Sequence, residues 1–472
     1  MRSAVERFLN SFFDIEPHER LKLFLLTATF FLIIAAYTLT KELKDIIFAA
    51  TVGKSYVPLA KLLTLFILVP SILLYSKLVD KLRRYHLLCF YALAYGILGL
   101  IFTVLLGHPV IGLANPVLSP YRFFGWIQYF LLEGFSPFIV GVFWAFANSI
   151  TDPGEAKKNY GFMVSGSKLG GILSAGLAWI VLTQETPLFG LISSDIAKHQ
   201  LLMGISSVLL ILVPIIILLL IRNVSGKYLH GYEAAYRLEK QRSRKGEAKT
   251  GMFSGLWMFV KYPYILGIFC MVFFYEVINS VLSYERIGIA QASSESLAGM
   301  SSFLFKIMLL THFVGFLISF LGTKQLLRLL GERLCLILIP VVTGGLLVYF
   351  LLSYTPAALI AAFVIMRAIN YGFSYPVRES LYIPTVKEIK FKSKSWIDAF
   401  GTKFAKSTGS AFNLVAEKLG PTMASSAHAA FFAVIIGVWV VAAMLLGKRF
   451  DKAVANNEVI GADSHDSDEA KT

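Results

Sequence analysis

The sequence predicts an all-α, polytopic membrane protein with about twelve transmembrane helices in two six-helix halves. Three observations lead there. The 472 residues are 56% hydrophobic and 15% charged, against about 25% charged residues in a soluble protein, and the mean hydropathy is +0.68. Apolar runs of the roughly 20 residues needed to cross a bilayer recur from Leu21 to Leu446. A basic loop near the middle leaves six runs on each side. No β-barrel alternation is present, and only helices and closed barrels satisfy their backbone within lipid.

Residues 1–20, "MRSAVERFLNSFFDIEPHER", carry mixed charge and no long apolar core before a small-residue cleavage site, so no cleaved signal is read there. With Phe8, Leu9, Phe12, Phe13 and Ile15 apolar, they are expected to form an amphipathic segment on the cytoplasmic membrane surface. The N-terminal half, 21–222, holds spans near 21–40, 57–77, 86–106, 123–148, 161–183 and 200–221. A basic linker follows at 223–256. The C-terminal half, 257–448, holds spans near 264–282, 302–322, 333–353, 356–375, 397–416 and 427–447, the eleventh being the least apolar. Residues 449–472 are a polar tail.

The formal net charge of +15 raises the question of nucleic acid, and the placement of the charge argues against it. Basic residues gather at Lys77, Lys81, Arg83 and Arg84, again through Arg222–Lys249, and again in "VKEIKFKSKSW". The first two groups fall on one side of the spans. The positive-inside rule then puts both termini and the central loop in the cytoplasm. Cys89, Cys270 and Cys335 all lie in apolar segments and suggest neither a disulfide frame nor a metal site.

The halves echo one another. "YSKLVDKLRRYHLLCF" after the second span resembles "GTKQLLRLLGERLCLI" after the eighth. "FANSITDPGEAKKNYGFMVSGSKLGG" after the fourth resembles "RESLYIPTVKEIKFKSKSWIDAFGTKFAKSTGS" after the tenth. Two parallel six-helix halves are the pattern of major-facilitator transporters, whose substrate site lies at the repeat interface near the membrane midplane.

Charges at membrane depth cost about 2.5–3.5 kcal/mol or more and therefore face a cavity or a partner. In "YTLTKELKDIIF" (Tyr37–Phe48), Lys41, Glu42, Lys44 and Asp45 share one half of the helix, with Leu43, Ile46 and Ile47 opposite. This face lines an aqueous cavity or, as the plainer reading, snorkels at the headgroups. Asp45 at i+4 is expected to neutralise Lys41, which leaves Lys44 the freer cation. Glu133, Lys168, Glu276, the pair Glu285–Arg286, Lys306, Arg367, Arg378, Glu379, Lys403 and Lys406 raise the same question. The cationic excess points to an anionic substrate, since lysine and arginine are the usual phosphate ligands. Tyr37, Phe143, Trp144 and Tyr371 are candidates to stack on a base, with helix packing as the alternative.

No enzyme motif survives inspection. The "GKS" at Gly53–Ser55 ends like a phosphate loop, but position 48 is Phe where that motif needs glycine. No HExxH or CxxC occurs, and neither a catalytic residue nor a cofactor is implied. "GSKLG" (Gly166–Gly170) has the small-xxx-small spacing of a helix contact.

"TKELKDIIFAATVG", "FWAFANSITDPGEAKKNYGFMVSGS" and "YIPTVKEIKFKSKSWIDAFGTKFAKSTGS" resemble the bacterial and plastid ATP/ADP translocases, with matching span spacing over most of 20–447. The resemblance implies a nucleotide carrier of major-facilitator type, most simply an ATP/ADP exchanger working by alternating access. It further implies a multi-pass protein of a bacterial inner membrane, in an intracellular bacterium, whose partners are ATP, ADP and lipid. A proton-coupled nucleotide symporter, an NAD/ADP exchanger and a carrier of another organic phosphate are the alternatives. By motif, the resemblance assigns substrate roles to Lys44, Glu133 and Lys406, and to one seventh-helix acid, Glu276 or Glu285. Lys168, Arg378 and Lys403 complete the candidate binding set. Where the family has "GKSGGS" this chain has "AKSTGS", and "FLK" after the first span is "LAK".

Overall fold

A computed structural model of the chain describes residues 17–151, 153–183, 192, 194–224, 261–321, 323–382, 384–385, 393–456 and 458–461. The expected surface segment up to residue 16, almost all of the basic linker and the end of the polar tail lie outside the described residues.

Long apolar runs close their own backbone hydrogen bonds as helices, and helices dominate the structure. In chain order they are α1 (Pro17–Thr51), α2 (Val57–Lys81), α3 (Arg84–Leu106), α4 (Phe123–Glu133), α5 (Gly141–Ser149), α6 (Pro153–Thr183) and α7 (Asp195–Asn223). Then come α8 (Pro263–Ala292), α9 (Leu297–Leu321), α10 (Thr323–Ser353), α11 (Pro356–Ile369), α12 (Tyr375–Ser380), α13 (Thr402–Ala416) and α14 (Pro421–Ala455). Ten described helical stretches are long and apolar enough to cross a membrane. Helices α2 and α13 stand at the second and eleventh expected spans. Large apolar side chains such as Phe66, Val104, Leu352 and Val434 lie exposed on the outside, the surface expected where lipid is the solvent.

Among the described residues, three complete π-helical turns interrupt this pattern. Ser136–Val140 joins α4 to α5, Asn370–Ser374 joins α11 to α12, and Ile397–Gly401 leads into α13. The first two make one kinked span each, the fourth and the tenth. Such widened turns concentrate at functional positions. Helix α10 bends at Gly331, whose φ of 72° is a conformation that glycine adopts without strain.

The chain forms two compact units. The first holds α1, α3–α7, α2 from Leu68 onward and α9 up to Leu309. The second holds α8, α10–α14, α2 up to Ile67 and α9 from Leu310. This division differs from the order along the chain, because α2 and α9 each contribute to both units.

In the first unit α1 packs against α6 and α7, and α3 against α7. Small residues let α1 and α6 approach closely. A Cβ on Gly166 would lie 2.3 Å from Thr27 Cγ2, and one on Gly170 would lie 2.6 Å from the Phe31 carbonyl oxygen. The "GSKLG" spacing is thus a helix contact, as the sequence suggests. The start of α9 is tied into this unit by α7. The Asp195 carboxylate accepts from the Ala298 amide at 2.9 Å, and His199 Nε2 lies 2.7 Å from Ser301 Oγ.

In the second unit α8 packs against α13, α14 and α11. Gly409 plays the part on α13 that Gly170 plays on α6: its Cβ would meet the Val277 carbonyl oxygen of α8 at 2.5 Å. The Ser280 hydroxyl, also on α8, donates to the Lys406 carbonyl at 3.0 Å.

A buried lysine–carboxylate cluster as the candidate functional site

Helix α1 continues without a break through "KELKDIIF", which fixes the environment of its charges. Leu43, Ile46 and Ile47 are fully buried, and so is Glu42 on the polar side; Lys44 is 4% exposed and Asp45 6%. Lys44 therefore does not snorkel, and the structure removes the headgroup reading for this residue.

Three groups surround the Lys44 ammonium. Lys44 Nζ donates to Glu133 Oε2 at 2.7 Å and lies 2.8 Å from Asp45 Oδ1. It also sits 3.8 Å from the centroid of the Tyr129 ring. Glu133 closes α4, one turn beyond Tyr129, so both side chains leave the same face of α4. Directly after Glu133 and two more residues, the chain enters the π-turn at Ser136. The expectation that Lys44 is the freer cation is thereby corrected. Asp45, its neighbour in sequence, and Glu133, 89 residues away, both close on it.

This arrangement has a definite chemistry. One cation is shared by two carboxylates and an aromatic face, with little water. Each charge is expensive to bury alone and is tolerated because the others are present. A competing anion of high charge density can replace a carboxylate at the ammonium, so the cluster can exchange an internal partner for an external one.

The remaining candidates fall as follows. Glu276 and Glu285 both lie on α8 and are half-buried. Glu276 Oε2 accepts from Asn279 Nδ2 at 3.0 Å. Tyr275 is within electrostatic range of Glu276, Tyr371, Arg367 and Arg378, which gathers those groups in the second unit. The Tyr371 hydroxyl accepts from Arg367 Nη2 at 2.7 Å. Lys403 and Lys406 stand on α13, and Lys168 on α6, all half-buried. Among the aromatic candidates, Phe143 is fully buried and stacked on Phe30 at 4.6 Å, with Trp144 edge-on to Phe30 at 5.1 Å. Tyr37 packs against Phe135 at 5.5 Å. Tyr129 was not among the residues singled out from sequence, although its place four residues before Glu133 is the signal that finds it.

Comparison with proteins of known structure and name fits this picture. The inward-open xylose transporter XylE of E. coli superposes with a TM-score of 0.59 at 10% identity, covering 90% of this chain and 94% of that one. The peptide transporter POT superposes with a TM-score of 0.56 at 13% identity, covering 92% and 94%. At these identities the likeness defines the fold, that of a major-facilitator-like membrane transporter. The model of the TLC ATP/ADP transporter family matches residues 117–363 and 358–450. The chain belongs to that family. Its relatives include ADP,ATP carrier protein 1 of Chlamydia pneumoniae, 24% identical over 97% of each chain. ADP,ATP carrier protein 5 of Rickettsia prowazekii is 24% identical over 86% of this chain and 89% of its own. The chloroplastic ADP,ATP carrier protein 2 of Arabidopsis thaliana is 24% identical over 95% and 77%.

Proposed function

We propose that the protein exchanges ATP and ADP across a bacterial inner membrane, with both termini in the cytoplasm. The observation that carries this reading is the Lys44 ammonium, buried within a membrane span and held by Glu133 and Asp45, in a chain of the TLC family. Nucleotide as substrate is supported by the names of the relatives, and the cytoplasmic termini by the basic linker.

In the mechanism, the empty carrier keeps Lys44 on its carboxylates. Arriving phosphate oxygens compete with Glu133 for the ammonium and free that carboxylate. The protein then populates conformations that the ion pair disfavoured, so substrate shifts the equilibrium by differential contact rather than by tight binding alone. Lys406, on α13 of the second unit, is the other lysine to which the family resemblance assigns a substrate role. Without substrate the return is costly, which couples outward to inward movement of nucleotide.

The test is uptake of labelled ATP into proteoliposomes with and without internal ADP. Internal ADP is expected to accelerate entry. Uptake that ignores internal nucleotide and collapses with a protonophore would overturn exchange in favour of proton symport.

A further inference from the structure

The connection between α3 and α4, residues 107–122, reads "GHPVIGLANPVLSPYR". A loop that leaves a membrane for water is ordinarily polar. This one has a single charged side chain, Arg122, and three prolines, Pro109, Pro116 and Pro120, which have no amide to offer to water. Val110, Val117, Leu118 and Tyr121 are between 56% and 81% exposed. The helix ends on either side present apolar side chains of the same kind, Ile101 and Val104 on α3, Phe123 and Ile127 on α4. The exposed apolar surface of these two helices therefore runs on through the loop.

Its backbone is satisfied from within. The terminal nitrogens of Arg122 gather four carbonyls: Nη1 donates to those of Asn115 and Val117 at 3.0 Å, and Nη2 to that of Ile111 at 3.0 Å and to that of Gly112. His108 Nδ1 accepts from the amides of Val110 and Ile111 at 3.2 and 3.4 Å. The Asn115 side chain donates to the Val110 carbonyl at 2.9 Å and accepts from the Val117 amide at 3.0 Å. Trp126 Nε1, on α4, donates to the Pro120 carbonyl at 2.9 Å. The loop lies close on the end of α3. The Leu113 amide donates to the Leu106 carbonyl at 2.8 Å, and a Cβ on Gly112 would collide with the carbonyl oxygens of Leu105 and Leu106. The Ser119 amide donates to the Thr51 carbonyl, at the end of α1, at 3.2 Å. A loop in water has no need of such pairing, because water bonds its exposed backbone. A loop in lipid needs it, because lipid offers no partner.

We propose that residues 107–122 lie in the membrane interface, as a lipid-binding foot of the first unit in the leaflet remote from the basic linker. The side follows from α3, which starts at Arg84, in the basic group that shares a side with the linker, and ends at the loop. Irregular backbone is excluded from the hydrocarbon centre. The loop therefore rests at the boundary of headgroups and acyl chains, with its apolar side chains among the chains and Tyr121 and Trp126 at the level aromatic residues favour. A protein partner is the poorer match. The one guanidinium is engaged by the loop's own carbonyls, and the loop holds no carboxylate or ammonium to offer a complementary surface. Through Ser119 and Phe123 the bilayer then holds the ends of α1 and α4, the helices that carry Lys44 and Glu133. The foot is independent of which substrate is carried.

The test places a nitroxide spin label at Val117→Cys and at Tyr121→Cys, in the full chain with Cys89, Cys270 and Cys335 replaced by alanine. The protein is reconstituted in vesicles of phosphatidylethanolamine and phosphatidylglycerol. Collision of the label with oxygen, which concentrates in lipid, is compared with collision with a water-soluble nickel chelate. Val104→Cys on α3 is the lipid reference, and Glu295→Cys, exposed just before α9, the water reference. Both loop labels are expected to lose nearly all nickel access relative to Glu295→Cys and to match the oxygen access of Val104→Cys. Nickel access equal to that of Glu295→Cys puts the loop in water and overturns the proposal. Labels that neither reagent reaches overturn it too, because a second copy or another protein then covers the loop. Arg122→Gln has too few donors for the four carbonyls and should return the Val117→Cys label to the nickel chelate, with Arg122→Lys in between. A label that stays in lipid in the Arg122→Gln protein refutes the part given to the guanidinium. The first comparison leaves Arg122 intact, so it decides the matter even where Arg122→Gln does not fold.

Discussion

Removing the Lys44 ammonium is the sharpest test of the buried cluster. The side chains of Lys44, Asp45 and Glu133 are 5%, 9% and 15% exposed, so water screens the charges poorly. Lys44→Ala leaves two carboxylates that had shared one cation. Breaking a buried pair by deleting one partner costs about 3–5 kcal/mol. Glu133→Gln acts differently. It leaves Lys44 with Asp45, a matched pair, and the new amide carbonyl still accepts from the ammonium. Its cost is about 1–2 kcal/mol, the loss of charge assistance in one hydrogen bond. The double variant should be more stable than Lys44→Ala alone, since it neutralises one of the two carboxylates that lose the ammonium. Thermal unfolding of the detergent-purified proteins measures all three. The reasoning fails if Lys44→Ala melts with the wild type, if Glu133→Gln falls as far as Lys44→Ala, or if the double variant is the least stable.

Two further outcomes follow from other parts of the molecule. Lys406→Ala is expected to abolish nucleotide uptake while the protein still reaches the membrane, and Lys406→Arg to retain some, because the charge persists in a different geometry; normal uptake by the alanine variant, measured in cells, would move the phosphate site elsewhere. Gly170→Val should destabilise the first unit by about 1–3 kcal/mol, the usual range for overpacking, because its Cβ would meet the Phe31 backbone oxygen at 2.6 Å; an unchanged melting temperature would show that α1 and α6 can move apart freely.

Much of the fold is legible in the sequence, since a bilayer demands apolar runs of a set length and the runs are there. The α1–α6 contact is legible too, through the spacing of Gly166 and Gly170. The eleventh span is least legible because α13 is short, amphipathic and entered through a π-turn, so no long apolar window marks it. At the site, the charges at depth are readable as a set, yet their pairing is not. Local spacing assigns Asp45 to Lys41 as an i+4 partner, whereas the ammonium of Lys44 is long enough to reach both its own neighbour and Glu133. The choice among partners is made by tertiary packing of α4 on α1, which no periodicity along α1 reveals.

Those π-turns also bear on how such a chain can change over generations. A π-turn holds about one residue more than an α-turn, and each residue of an α-helix advances the screw by about 100°. Loss of a single codon between Ser136 and Val140 would let the span close up as an ordinary helix. Everything beyond it, Phe143 and Trp144 first, would swing round relative to Glu133, and Phe143 would leave the face of Phe30 on which it is stacked. The fourth span is therefore a stretch of membrane helix in which length carries as much information as composition. A substitution there alters one side chain, while an insertion or deletion re-addresses every side chain that follows.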